Sequence, residues 1–244
     1  MLTPLKLATK LLPEMSRKLI VALDFTNEAE ARKLIEQIDP KLCALKVGSE
    51  MFTLFGTGFV KNLVAKGYAV FLDLKFHDIP NTVAQACRAA AELGVWMINV
   101  HASGGRKMMT AARQALDVYG LDRPLLIGVT VLTSMSEGEL TESGIDDSLA
   151  HQVTRLTTLA QESGLDGVVC SAHEVPAIKT ACGTSFITVT PGIRLAGDAL
   201  NDQSRVVTPE QAIQLGSDYL VVGRPITRSE QPEAVIRRIL QSIQ

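Results

Sequence analysis

The sequence predicts an α/β fold, a (β/α)₈ TIM barrel formed by a single domain, and three observations support this prediction. Short apolar runs rich in Val, Ile and Leu alternate with helix-like segments eight times along the chain. No Pro- or Gly-rich linker separates these units. A length of 244 residues is common for a barrel that folds as one unit. We expect the barrel to span residues 18–244 and residues 1–17 to form a surface lead-in segment.

The strand candidates are apolar runs, and polar groups gather at their carboxyl ends. In chain order they are residues 18–24, 43–48, 68–76, 95–101, 125–132, 166–171, 185–190 and 218–223. Because parallel strands of a barrel all end at the same mouth, we expect these polar groups to meet there, where barrel enzymes place their sites.

Helix-start signals between the strands agree with this division. Thr208 precedes a proline and is followed three residues later by Gln211, which is the pattern of a capping box. Asn81 or Asp78 is expected to cap the helix that begins near Pro80 in the same way.

Charge and composition favour a small-molecule partner. The formal net charge is −2 without long blocks of one sign, so the chain has no electrostatic footprint for nucleic acid or an anionic membrane. No apolar run approaches the ~20 residues that span a bilayer. Dispersed cysteines predict neither a zinc site nor a disulfide framework, and indicate reduced thiols in a cytoplasmic protein. They are Cys43, Cys87, Cys170 and Cys182.

The third strand candidate carries unexpected charge in the stretch FLDLKFHDIP, residues 71–80. Successive strand residues point to opposite faces, so Asp73, Lys75 and His77 are expected to share the face opposite three apolar residues. Buried charges lose solvation and persist only when they are paired. One face of this strand therefore packs, and the other is suited to chemistry.

Two further charged residues are expected beside Asp73 and Lys75. Lys46 lies on the adjacent second strand and Asp78 at the mouth of the third, which gives two positive and two negative groups. For a single buried Asp/Lys pair, a structural ion pair is the more common explanation. Four groups at a barrel mouth favour an active site instead.

The four histidines lie in no metal-ligand spacing. His77 is expected to point inward as a hydrogen-bonded structural residue. The other three are expected at caps or on the surface. They are His101, His151 and His173.

The ends of the last two strands suggest an anion site. Gly192 and Gly223 allow backbone N–H groups to approach a ligand, and Arg194 and Arg224 supply positive charge. Loops after the seventh and eighth strands are the usual phosphate site of such barrels. The long polar loop 191–207 is expected to act as a mobile lid.

Dispersed motifs together resemble those of the orotidine 5′-phosphate decarboxylase family, in its bacterial single-function form, over residues 18 to about 230. The motifs are Asp73-x-Lys75-x-x-Asp78-Ile79-Pro80-Asn81-Thr82, Val21-Ala-Leu-Asp24, Leu45-Lys-Val-Gly48, Leu132-Thr-Ser-Met135, Thr190-Pro-Gly-Ile-Arg194, Gln203 and Val222-Gly-Arg-Pro225.

This resemblance implies decarboxylation of orotidine 5′-monophosphate to uridine 5′-monophosphate without a metal or an organic cofactor. It implies a charge array in which Lys75 stabilises and protonates the carbanion at carbon 6. The array is Lys46, Asp73, Lys75 and Asp78.

The resemblance also implies which residues bind the substrate. Asp24 and Lys46 are expected at the ribose hydroxyls and Thr133 beside the pyrimidine. The phosphate contacts are expected from Arg194, Gln203, Gly223 and Arg224. A homodimer is implied, because three residues reach the neighbouring subunit's site in the family. They are Asp78, Ile79 and Thr82.

Two alternatives remain open at this point. A metal-dependent sugar-phosphate lyase or epimerase on the same barrel shares the Asp-x-Lys-x-x-Asp pattern, but such relatives carry an acidic metal ligand on the second strand. Here Lys46 occupies that strand and would repel Mg²⁺. A catalytically silent protein that binds sugar phosphates could retain the phosphate site without needing the charge array.

Overall fold

In the computed structural model, which describes residues 18–195 and 207–244, the strands form a closed parallel barrel in the order β1 to β8. This confirms the predicted α/β barrel, although most strands are shorter than the sequence patterns suggested. The strands are β1 Leu19–Leu23, β2 Ala44–Gly48, β3 Val70–Phe76, β4 Met97–His101, β5 Leu125–Val129, β6 Gly167–Val169, β7 Ile187–Thr190 and β8 Tyr219–Val222.

Helices alternate with these strands along the chain. They are α1 Glu28–Ile35, α2 Ser49–Ala65, α3 Pro80–Glu92, α4 Gly105–Ala115, α5 Glu137–Glu142, α6 Leu149–Glu162, α7 Val175–Cys182, α8 Pro209–Gln214, α9 Arg224–Thr227 and α10 Pro232–Ser242. Within the described parts of the chain, none of them combines the length and apolar character that a membrane crossing requires.

One of the two predicted helix caps is confirmed and the other is wrong. Thr208 and Gln211 form a capping box at the start of α8. Helix α3 begins at Pro80 as expected, but its N-cap is Ile79 and no side chain caps it. Asp78 lies one residue before the cap, and its carboxylate instead accepts a 2.6 Å hydrogen bond from the Ile79 N–H.

The strands are apolar on both faces, as expected for a parallel sheet that is covered by helices. On β1, Leu19, Val21 and Leu23 pack outward against the helices, whereas Ile20 and Ala22 fill the barrel interior. The inner cluster continues around the barrel with Ala44, Ala69, Phe71, Met97, Ile127, Val189 and Val221. This inner cluster fills the barrel, so a ligand site within the barrel must lie above the cluster, at the mouth.

Two aspartates join neighbouring segments at the opposite, amino end of the barrel. Asp166 precedes β6 and accepts two 2.6 Å hydrogen bonds from the Arg123 guanidinium. Asp218 precedes β8 and accepts a 2.6 Å hydrogen bond from Lys179. Polar groups at this end of a barrel contribute to stability rather than to catalysis.

Strand β6 passes so close to β7 that position 167 tolerates only glycine. A Cβ at Gly167 would lie 2.1 Å from the Ile187 carbonyl oxygen, which belongs to the backbone and cannot rotate away. We expect Gly167→Ala to lower the free energy of unfolding by ~3 kcal/mol, the upper part of the usual range for overpacking.

Urea titration of the purified variant measures this effect. Gly58→Ala is the matched control, because Gly58 lies in helix α2 with open space around its Cα. Alanine there gains helix propensity, so the control should unfold at an equal or higher urea concentration. Equal stability of the two variants would contradict the close approach.

Candidate active site

A cavity of about 560 Å³ opens at the carboxyl ends of the strands. Nine of the residues predicted for the site line it. They are Asp24, Lys46, Asp73, Lys75, Thr133, Gly192, Arg194, Gly223 and Arg224. Of the other predicted residues, Asp78, Ile79 and Thr82 are exposed around the start of α3 and do not line the cavity. Gln203 lies outside the described residues.

Asp73 is the centre of the charged group and is only 8% exposed. One carboxylate oxygen, Oδ1, accepts hydrogen bonds from Lys75 Nζ at 2.6 Å and from the Asn99 amide at 2.7 Å. The other oxygen, Oδ2, lies 3.3 Å from Lys46 Nζ, and that ammonium lies 3.7 Å from Asp24. Both lysines therefore share one buried carboxylate.

These contacts determine the protonation of Asp73. Burial alone would raise its pKa, since it penalises the charged form. The charges of Lys46 and Lys75 and the hydrogen bonds from Lys75 and Asn99 together outweigh burial and lower the pKa below its ordinary value. Asp73 is therefore a carboxylate at neutral pH, and it can only accept hydrogen bonds.

Lys75 has an unusual backbone conformation for a side-chain-bearing residue. Its φ is 51°, in the left-handed region that a Cβ disfavours. Around it the pairing of β3 with β4 shifts register between Leu72 and Phe76. The alternation of strand residues thus predicted the correct, inward face for Lys75. It could not predict the bulge, because a bulge interrupts the alternation.

Asn99 contacts two members of the charged group and was not among the predicted site residues. It is fully buried on β4, donates to Asp73, and accepts a 2.8 Å hydrogen bond from the backbone N–H of Lys75. A signal was present in the sequence. Asn99 alternates with apolar Ile98 and Val100 and shares the inward parity of Met97, where an amide needs a specific partner.

The histidines take no part in the charged group, but two of them lie beside it. His77 lies beyond the end of β3 and is exposed, so it does not point into the cavity. Its ring centroid is 5.4 Å from that of His101, and among the described residues it makes no hydrogen bond. Burial, followed by the influence of His77 and Lys75, lowers the pKa of His101. His151 and His173 are exposed, as expected.

The predicted anion-binding residues lie across the cavity from Lys75. Gly192 has a φ of 82°, which turns the chain after β7 and suits glycine. Arg194 is buried and donates from its guanidinium to the Ile193 carbonyl at 2.9 Å. Its backbone N–H bonds to the Val207 carbonyl at 3.1 Å, which joins the two described ends of the predicted lid. The interior of that loop, residues 196–206, lies outside the described part of the chain.

The floor of the cavity is apolar. Val169, Val189, Val221 and Phe71 line it and continue into the inner cluster of the barrel. A low-dielectric floor strengthens the interactions of the charged residues above it. The site can therefore hold an anion at one end and offer a preorganised ammonium at the other.

Metal-ligand chemistry has little support among the residues the structure describes. These contain no group of three His, Cys, Asp or Glu side chains placed to hold an ion. The four cysteines are buried with free thiols. Burial raises the thiol pKa values of Cys43, Cys87 and Cys170, so these thiols remain protonated at neutral pH.

Comparison with known proteins agrees with this geometry. The model of the family described as "Orotidine 5'-phosphate decarboxylase / HUMPS family" matches residues 17–239. The chain belongs to this family. Family members include the orotidine 5'-phosphate decarboxylase of Legionella pneumophila strain Philadelphia 1, which is 63% identical over 229 residues that cover 94% of this chain and all of that protein. The enzyme of the same name from Vibrio campbellii is 59% identical over 94% of this chain and 98% of its own length.

A solved structure of an orotidine 5'-phosphate decarboxylase has a fold similar to that of this chain. The crystal structure of this enzyme from Lactobacillus acidophilus is similar to this chain with a TM-score of 0.85 and 40% identity. The match covers 93% of this chain and 99% of that one. The resemblance inferred from dispersed motifs is thereby confirmed.

Proposed function

We propose that this protein decarboxylates orotidine 5′-monophosphate to uridine 5′-monophosphate and CO₂ in pyrimidine biosynthesis. The observation that carries the proposal is the Lys75 ammonium, held 2.6 Å from Asp73 inside the cavity. The relatives that share this chain's full barrel carry the same activity in their names.

The reaction explains why an ammonium is needed there. Breaking the bond between carbon 6 and the carboxylate releases CO₂ and leaves an electron pair on carbon 6, in the plane of the ring. That pair cannot delocalise into the π system, so the enzyme must stabilise it electrostatically. Lys75 faces the charge as it develops and then transfers a proton to carbon 6, which yields uridine 5′-monophosphate. Water returns a proton to the Lys75 amine.

Asp73 supports this step by holding Lys75 in place. Its buried carboxylate accepts a 2.6 Å hydrogen bond from Lys75 Nζ and fixes the direction of the ammonium. The substrate carboxylate must lie near Asp73 before it leaves, and repulsion between the two is a second contribution. We assign orientation as the main role of Asp73.

The remaining cavity residues match the other parts of the nucleotide. Asp24 and Lys46 form an ion pair at the edge of the cavity, which suits the two ribose hydroxyls. Thr133 lines the wall after β5, where it can meet the pyrimidine. Gly223, Arg194 and Arg224 line the side suited to the phosphate. Gln203, which belongs to the segment proposed as a lid, is proposed as a further phosphate contact. Phosphate binding would supply energy to close the lid and exclude water.

Arg224→Ala should reduce kcat/KM by ~10–100-fold, since a charge-assisted hydrogen bond contributes ~1.5–3 kcal/mol. Steady-state kinetics with orotidine 5′-monophosphate measures the change. Arg237→Ala is the control, because Arg237 lies on α10 and pairs with Glu233 at the surface. Arg224→Ala kinetics equal to those of this control would remove the phosphate assignment.

We also propose a homodimer in which Asp78, Ile79 and Thr82 reach the neighbouring site. Its support is Ile79, a large apolar side chain that is 67% exposed in the single chain. Ile79→Asp should shift the protein toward monomers in sedimentation velocity and reduce turnover with it. Leu121→Asp is the control: Leu121 is 92% exposed but follows α4 on the way to the amino end of β5, away from the proposed contact. A dimer that survives Ile79→Asp unchanged would argue against this interface.

A cytoplasmic location is part of the same proposal. It is supported by four cysteines that remain as free thiols, the usual state in a reducing compartment.

One assay separates the decarboxylase from both alternatives. The purified protein is mixed with orotidine 5′-monophosphate, and the ultraviolet change on loss of the carboxylate is followed with and without a chelator. Turnover that persists with the chelator is the expected result. Turnover that stops would favour a metal-dependent lyase, although the ammonium of Lys46 beside Asp73 opposes a divalent cation there. Phosphate-ligand binding without turnover would favour a silent binding protein.

A further inference from the structure

We propose that Asn99 is a positioning residue for the decarboxylation, because it fixes both Lys75 and Asp73 through one amide group. This inference rests on the proposed function and adds a residue to its machinery. Asn99 does not line the cavity, so it acts through its two neighbours and not on the substrate.

The amide of Asn99 has only one orientation that satisfies both partners. Asp73 is a carboxylate that only accepts, and it receives the amide NH₂ at 2.7 Å. The backbone N–H of Lys75 only donates, and it lies 2.8 Å from the amide oxygen. Asn99 thus links the backbone of the lysine to the side chain of its ion-pair partner, from a neighbouring strand.

This link replaces a hydrogen bond of the strand ladder. Leu72 pairs with Ile98 and Phe76 with Val100, so four steps along β3 stand opposite two along β4. The extra residues form the bulge, and Lys75 within it adopts a φ of 51°. An apolar residue at 99 would leave the Lys75 N–H without its acceptor. The left-handed conformation of Lys75 would then lose the hydrogen bond that offsets its conformational cost.

The position of the ammonium follows from this geometry. The φ of 51° sets the direction in which the Lys75 side chain leaves the backbone, so relaxation to a negative φ should move the ammonium away from its 2.6 Å contact with Asp73. Asn99 therefore determines where the proton donor lies, while the Asp73 contact determines how the ammonium is aimed.

Asn99→Leu removes both hydrogen bonds at nearly constant volume and should lower kcat by ~10²-fold with KM within about threefold, because a misplacement of about 1 Å has effects of this size. Tyr68→Phe is the control for lost buried hydrogen bonding. Its hydroxyl bonds to the Ile38 carbonyl at 2.6 Å, away from the cavity, and its kcat should match that of the wild type. Equal kcat in the two variants would overturn the proposal.

Asn99→Asp provides a readout that a purely structural role would not change. Two carboxyl groups this close cannot both ionise, so the introduced carboxyl group and that of Asp73 would share a proton and imitate the amide until that proton is lost. The variant should retain more activity than Asn99→Leu and lose it as the pH rises. Among the described residues, the charged or titratable groups that face Asp73 are Lys46 from β2, Lys75 from β3 and His101 at the end of β4. A pH profile identical to that of the wild type would contradict the assignment.

A crystal structure of Asn99→Ala tests the proposal without any turnover measurement. The expected result is a Lys75 φ outside the left-handed region and a longer distance from Lys75 Nζ to Asp73. An unchanged φ and distance would overturn the inference, whether or not the protein decarboxylates orotidine 5′-monophosphate. Conversely, a wild-type protein without turnover would remove the proposed function and leave this structural result standing.

Discussion

Lys75→Ala should lower kcat by ~10⁴-fold or more while the fold survives. Electrostatic stabilisation of a developing anion and general acid catalysis each contribute ~10²–10³-fold or more, and this single ammonium is proposed to supply both. The fold should survive because Asp73 keeps Lys46 at 3.3 Å and Asn99 at 2.7 Å. Steady-state kinetics, with circular dichroism to verify folding, measures both parts.

Two further variants sharpen the Lys75 prediction. Lys61→Ala is the surface control, because Lys61 is exposed on α2, and its kcat should equal that of the wild type. Lys75→Gly should be as inactive as Lys75→Ala but ~1 kcal/mol more stable, because glycine adopts a φ of 51° without the Cβ penalty. Substantial turnover by Lys75→Ala would exclude this residue as the proton donor.

Asp73→Asn should affect both stability and catalysis. The amide retains the shape of the side chain but leaves two ammonium groups, on Lys46 and Lys75, without their shared counter-charge. Breaking a buried pair in this way destabilises by ~3–5 kcal/mol, and we expect about 3 because Lys75 is partly exposed. Its kcat should fall by ~10²-fold or more, since Lys75 is no longer held toward the substrate.

The sign of the pH dependence follows from the lowered pKa of Asp73. Its folded pKa lies below the unfolded value of about 3.9, so its contribution to stability is fully present above that value. The contribution is lost as the pH falls through the folded pKa. The stability difference between the wild type and Asp73→Asn should therefore be constant near neutral pH and shrink in acid. Urea midpoints collected from pH 3 to 7 measure it; a difference that grows in acid would contradict the sign.

The barrel could be predicted from the sequence because the patterns that indicate it are local and repeated. Each apolar strand, and each cap such as Thr208, can be recognised from residues that are close together in the sequence. The charged residues at the strand ends could also be predicted to meet, because the parallel topology brings all carboxyl ends to one mouth. Asp24, Lys46, Asp73 and Lys75 accordingly lie together in one cavity.

The parts that sequence reasoning missed depend on pairing between strands. The strand β4 alone indicates that a buried Asn99 needs a partner, but neither its partners nor the left-handed φ of Lys75 can be predicted from one strand, since both arise where β3 bulges against β4. The assumed cap at Asp78 failed for a related reason: capping depends on the residue at which the chain turns into α3, and that residue is Ile79.

The ion pairs of Asp166 and Asp218 have a consequence for engineering. They stabilise the amino end of the barrel, remote from the cavity, through bonds to Arg123 and Lys179. Residues that contact the ligand can therefore be randomised without disrupting these two ion pairs. Libraries confined to the mouth that leave Asp73, Lys46 and Lys75 unchanged should yield variants that keep a near-native melting temperature even when they accept a different base or sugar.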